Sequence, residues 1–107
     1  HLVGSILHYV EQNLSEKLFL QDIAEKYNYS VTYISKLFKN VTGSSLVSYI
    51  IEKRIARARQ LMYEDLEITE IAERVGYHNY SNFYKAFKKA VGISPEEYRR
   101  QLNTFGK

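Results

Sequence analysis

The side chains of this 107-residue chain that can do chemistry are lysines and short polar groups, not nucleophiles or metal ligands. Cysteine is absent, so there is no thiolate nucleophile, no zinc–thiolate site and no disulfide framework. His1, His8 and His78 lack metal-ligand spacing, Glu64 and Asp65 are merely adjacent carboxylates, and no glycine-rich phosphate loop occurs. Neither catalysis nor a cofactor is expected from such a set. What recurs is cationic. Lys39 follows Phe38, and Lys88 follows Phe87 49 positions later. An ammonium placed twice in the same setting suits an anionic partner touched at two places.

Those lysines sit inside a repeat. Residues 23–43 read IAEKYNYSVTYISKLFKNVTG and residues 71–92 read IAERVGYHNYSNFYKAFKKAVG. Ile23-Ala24-Glu25 matches Ile71-Ala72-Glu73 at a spacing of 48, whereas Gly43 matches Gly92 at 49. The second copy has therefore gained a residue near His78. Charge alternates in step with the repeat: net −2 over residues 1–30, +5 over 31–63, −4 over 64–76 and +4 over 77–107. Each copy has a basic second half. The plain alternative is that charged residues coat solvated faces.

The elements that must position these groups are helical. Val3, Ile6, Leu7, Val10 and Leu14 fall at helical spacing, and so do Leu20, Ile23, Ala24 and Tyr27. Ile34, Leu37, Phe38 and Val41 make a third stripe; Ile50, Ile51, Ile55, Ala58, Leu61 and Met62 a long fourth. Ile68, Ile71, Ala72 and Val75 repeat the second stripe, and Phe83, Phe87, Ala90 and Val91 the third. Tyr98 and Leu102 close the chain. Ser30 and Asn79 are expected N-caps. Asn28 and Gly76 suit left-handed turn positions, and Gly43 and Gly92 suit helix stops. Ser94-Pro95-Glu96-Glu97 starts a last helix, with Glu97 able to complete a capping box. No apolar run reaches a membrane span, and no signal segment opens the chain.

The expected architecture is all-α: about seven helices, with two helix-turn-helix units, residues 1–45 and 64–107, joined by a linker helix over residues 46–63. Each unit pairs a short helix with a longer one that has a basic face. In that plan the second helix enters the DNA major groove. A linker of that length spans roughly 25 Å, which suits two readers near one DNA turn, about 34 Å, apart.

The chain resembles the DNA-binding domain of AraC/XylS-family transcription regulators from about Val3 to Leu102. The resemblance is most specific in Ile68-x-x-Ile71-Ala72-x-x-x-Gly76-Tyr77, Ser81-x-Phe83-x-Lys85-x-Phe87-Lys88 and Gly92-x-Ser94-Pro95-x-x-Tyr98-Arg99, with Arg54-Ile55-x-x-Ala58-x-x-Leu61-Met62 in the linker. It implies seven helices, sequence-specific promoter binding and transcription control. With Ile34, Leu37 and Phe38 facing the core, Val31, Thr32, Ser35, Lys36 and Lys39 are left for solvent or DNA. The family positions make Thr32, Ser35 and Lys36 candidates for base edges. In the second copy Tyr80, Ser81, Asn82, Tyr84 and Lys85 are the base candidates, with Asn82 suited to adenine. For Thr32, Ser35 and Ser81 the alternative is a solvated or capping hydroxyl; for Tyr80 and Tyr84 it is packing. Lys39 and Lys88, near the helix ends, are candidates for phosphate.

Two departures stand out. The family often has arginine at the positions of Lys36 and Lys85, and lysine lacks arginine's bidentate fork for guanine. Phe19 stands where a hydroxyl residue is common, which affects where the second helix starts. Arg54, Arg57 and Arg59 have two readings, phosphate contact or ion pairing with Glu52 or the acidic stretch from Glu64 to Glu73; for Arg54 a structural role is expected. Tyr29 and Tyr77, at matching positions, are expected to pack. Promoter duplex DNA is the expected partner in a cytoplasmic bacterial protein, and no membrane is. The acidic stretch is expected to face away from DNA; the alternative reading is a partner surface, for example for RNA polymerase. A start at His1 rather than Met, together with the resemblance, implies a missing N-terminal sensing or dimerisation region.

Overall fold

The computed structural model describes residues 1–105; Lys107, counted in the last basic stretch and closing the expected second unit, lies outside the described residues. Seven α-helices and no strands make up that length: α1 Leu2–Gln12, α2 Leu20–Lys26, α3 Val31–Thr42, α4 Leu46–Leu61, α5 Ile68–Arg74, α6 Tyr80–Val91 and α7 Pro95–Phe105. None of these helices is long and apolar enough to cross a membrane. The chain divides into two compact units, His1–Lys53 and a second that begins at Arg54. The division falls inside α4, so the linker helix is shared between the units rather than standing apart from them.

The first unit buries Val3, Ile6 and Val10 of α1, Ile23 and Ala24 of α2, Ile34 and Phe38 of α3, and Leu46 and Ile50 of α4. The second buries Ile55, Ala58 and Leu61 of α4 with Met62, Ile71 and Ala72 of α5, Val75, and Phe83 and Phe87 of α6. Burial of these apolar side chains, at about 1.5–3 kcal/mol for each large one, is what holds short helices that would be marginal alone.

The punctuation repeats between units. The backbone N–H of Tyr33 donates to Ser30 Oγ, and that of Asn82 to Asn79 Oδ1, each at 3.1 Å. Gly43 and Gly92 end α3 and α6 with φ of 84° and 97°. Asn28 (φ 62°) and Gly76 (φ 98°) make the tight turns after the short helices. Tyr29 N–H then donates to Ala24 O and Tyr77 N–H to Ala72 O, each at 2.9 Å. The copies are in register at 48 through Tyr29 and Tyr77 and at 49 from Ser30 and Asn79. His78 is therefore the inserted residue. Neither short helix has a side-chain cap at its start, Phe19 in one copy and Glu67 in the other.

Several expectations are corrected. Val41 and Ala90, equivalent positions, are exposed although they lie on the apolar stripe, because the last turn of α3 and α6 runs beyond the core phenylalanine. Ile51 is exposed on α4, and Val31 packs partly on the core rather than facing solvent. Ser94 Oγ does accept from Glu97 N–H at 3.1 Å. The Glu97 carboxylate, however, pairs with Arg100 at 2.5 Å instead of turning back to close a capping box.

Candidate nucleic-acid interface

Helices α3 and α6 have the same length and the same inward pair, Ile34 with Phe38 and Phe83 with Phe87. At about 100° per residue, the side opposite those pairs is fixed. It carries Thr32, Tyr33, Lys36, Lys39 and Asn40 in the first unit, all exposed. The equivalent positions, 49 further on, are Ser81, Asn82, Lys85, Lys88 and Lys89, and these too are all exposed. Each face thus has one lysine in its middle and a second one turn later, and the α6 face adds Lys89. Small polar groups lie toward the N-terminal end, where the helix dipole favours an anion.

Of the residues expected to reach bases, Thr32, Lys36, Ser81, Asn82 and Lys85 lie on these faces, as do the phosphate candidates Lys39 and Lys88. Ser35 and Tyr84, equivalent to each other, are half-buried on the flank. Tyr80 is half-buried, its ring tilted 48° against Phe83 at 6.0 Å. Its hydroxyl donates to the Glu96 carboxylate. Burial first, and then that hydrogen bond, push the Tyr80 phenol above its ordinary value. It remains a neutral donor.

Sequence reasoning missed Tyr33, Asn40 and Lys89. The signal was present: Tyr33 stands at the position of Asn82, which was singled out in the other copy. Tyr33 is 48% exposed.

The matching tyrosines behave differently, against expectation. Tyr77 packs edge-on to Phe83 at 5.7 Å, with the Arg54 guanidinium 5.6 Å from its ring centroid. Burial raises the Tyr77 phenol and lowers the Arg54 guanidinium, and each charge interaction opposes the effect of burial on its partner. Arg54 is thus structural, as expected. Tyr29 instead lies outside the core and stacks on Tyr33. Ile34 stands where Phe83 stands, so the ring that receives Tyr77 has no counterpart in the first unit.

Further polar contacts brace the second unit. Arg59 donates to the Tyr98 hydroxyl at 3.2 Å rather than pairing with an acidic residue. The Arg99 fork reaches three carbonyls after α4: Leu66 at 2.5 Å, Met62 at 3.3 Å and Glu64 at 3.4 Å. Within the acidic stretch, Glu70 pairs with Arg74 at 2.6 Å and Glu73 with His78 at 3.3 Å. Among the described residues no group of three or more His, Asp or Glu side chains is arranged to hold a metal.

Residues 23–101 match the protein family described as a helix-turn-helix domain. The chain is 39% identical over 102 residues to YdiP, an HTH-type transcriptional regulator of Escherichia coli K12, covering 94% of this chain and 34% of that protein. It spans about a third of that relative's length. Among solved structures it is similar to the C-terminal domain of AraT, a response regulator from Geobacillus stearothermophilus (TM-score 0.91, 38% identity, 94% of this chain and 84% of the other). The DNA-binding domain of AdpA, solved in complex with a target DNA, shares the fold (TM-score 0.90, 22% identity, 95% and 93% covered).

Proposed function

Because this chain belongs to the AraC-type helix-turn-helix DNA-binding domains of transcription regulators, we propose that α3 and α6 each enter a major-groove segment of one promoter duplex. The family is one of DNA-binding domains, not of enzymes. The observation that carries the reading is the pair of exposed faces in identical register, with lysines at two matching positions, Lys36 with Lys85 and Lys39 with Lys88. A groove-reading helix needs cations for phosphate and short hydrogen-bonding groups for base edges.

In this reading Thr32, Lys36, Ser81, Asn82 and Lys85 meet base edges, with Ser35 and Tyr84 contributing from the flank. Asn82 has the amide geometry for adenine. Lys39 and Lys88 meet phosphate. Tyr80, its hydroxyl engaged by Glu96, positions α6 rather than reading a base. The two faces share two lysines each and differ in the rest, so the target has unlike halves and a direction. The exposed acidic residues of the α5 region turn away from DNA and suit a protein partner such as RNA polymerase. A sensing or dimerising region in the full-length cytoplasmic protein completes the regulator.

Selection of duplexes from a random library, followed by titration at two salt concentrations, tests the reading. Binding should fall roughly tenfold or more between 50 and 200 mM salt, as several phosphates release counterions. Failure to enrich any duplex at low salt would overturn it.

A further inference from the structure

Tyr33 and Tyr29 form an exposed aromatic pair at the start of α3. Their rings stack with centroids 4.8 Å apart and planes 17° from parallel. Each remains about half open to solvent, Tyr29 at 45% and Tyr33 at 48%. Stacking fixes both rings and leaves one flat apolar surface beside Thr32 and Lys36. In the second unit the same two positions are a packed tyrosine, Tyr77, and a polar amide, Asn82. The pair is therefore not required by the repeat's fold, because the second copy folds alike without it.

An ordered apolar surface on a groove-facing helix has one apolar counterpart in the major groove, the 5-methyl group of thymine. We infer that Tyr33, braced by Tyr29, is a specificity-determining residue of α3 that packs against a thymine methyl. This rests on the reading that α3 enters the major groove, and it goes beyond that reading by assigning the first half-site a methyl contact where the second has an amide.

The test uses the 107-residue chain and a duplex selected by it. Each thymine is replaced in turn by deoxyuridine, which lacks only the methyl group. One thymine within the segment protected by α3 should weaken binding about fourfold when replaced, the worth of one buried methyl group. Tyr33→Ala should abolish that dependence and leave the other thymines unaffected, with helix content by circular dichroism unchanged. Tyr33→Phe should retain it, since the ring makes the contact. Tyr29→Ala should weaken the dependence at that same thymine. Tight binding with no methyl dependence, or the same dependence in Tyr33→Ala, overturns the inference while leaving the DNA-binding reading intact. No duplex bound by the unmodified chain overturns that reading itself, and this inference with it.

Discussion

The hydroxyl of Tyr80, in the first turn of α6, donates to the carboxylate of Glu96, in the first turn of α7. The bond ties the start of α6 to the closing helix. Tyr80→Phe should lower the stability of the second unit by about 1 kcal/mol, the net worth of one hydrogen bond. The order of preference among selected duplexes should not change. A changed base preference would return Tyr80 to the reading residues.

The same bond predicts a pH response. Tyr77 and Tyr80 are both pushed above the ordinary tyrosine value of 10.0, by burial foremost and at Tyr80 also by Glu96. The folded protein keeps these protons where the unfolded chain releases them. Their contribution is therefore complete below pH 10 and is lost progressively as pH climbs above it. Melting temperature should fall in that alkaline range, and the paired Tyr77→Phe, Tyr80→Phe variant should fall less steeply.

Arg99 holds the segment after α4 through its carbonyls. Arg99→Ala should destabilise by about 1.5–3 kcal/mol, the range for hydrogen bonds to a charged group. Arg99→Lys should recover only part, because an ammonium lacks the planar fork that spans the carbonyls of Leu66 and Met62. Urea midpoints measure both, and a fully stable lysine variant would contradict the role given to the fork.

Gly43 and Gly92 test backbone strain without crowding. A Cβ added at either would meet nothing within 4 Å, yet both have positive φ, 84° and 97°. Gly43→Ala and Gly92→Ala should each cost about 1–2 kcal/mol from the left-handed backbone alone. An unchanged thermal midpoint would show that the helix ends relax out of that conformation.

Lys85 and Lys88 lie three residues apart on one exposed face of α6 and should fail differently. Lys85→Ala should weaken the preferred duplex by about 1–3 kcal/mol and relax preference at one base pair. Lys88→Ala should weaken all duplexes nearly equally and lower the salt slope by about one. Equal losses on every duplex for Lys85→Ala would make it a phosphate contact.

Local chemistry was legible in the sequence. Helical periodicity located seven helices, because a buried stripe must recur every three or four residues wherever a helix lies on a core. Ser30, Asn79, Gly43 and Gly92 marked their ends, because a cap acts within its own turn. The repeat gave the duplicated plan and placed the gained residue near His78. What only the tertiary structure decided depends on neighbours distant in sequence or on where a core ends. Val41 and Ala90 keep the helical spacing but overhang the core. Tyr29 and Tyr77 share a register position, yet only Tyr77 has a phenylalanine ring to receive it. Arg99 finds its carbonyls more than thirty residues back. Tyr33 lies on the exposed face of α3 because Ile34 and Phe38 turn inward beside it, a matter of which flank of the helix the core covers rather than of residue type.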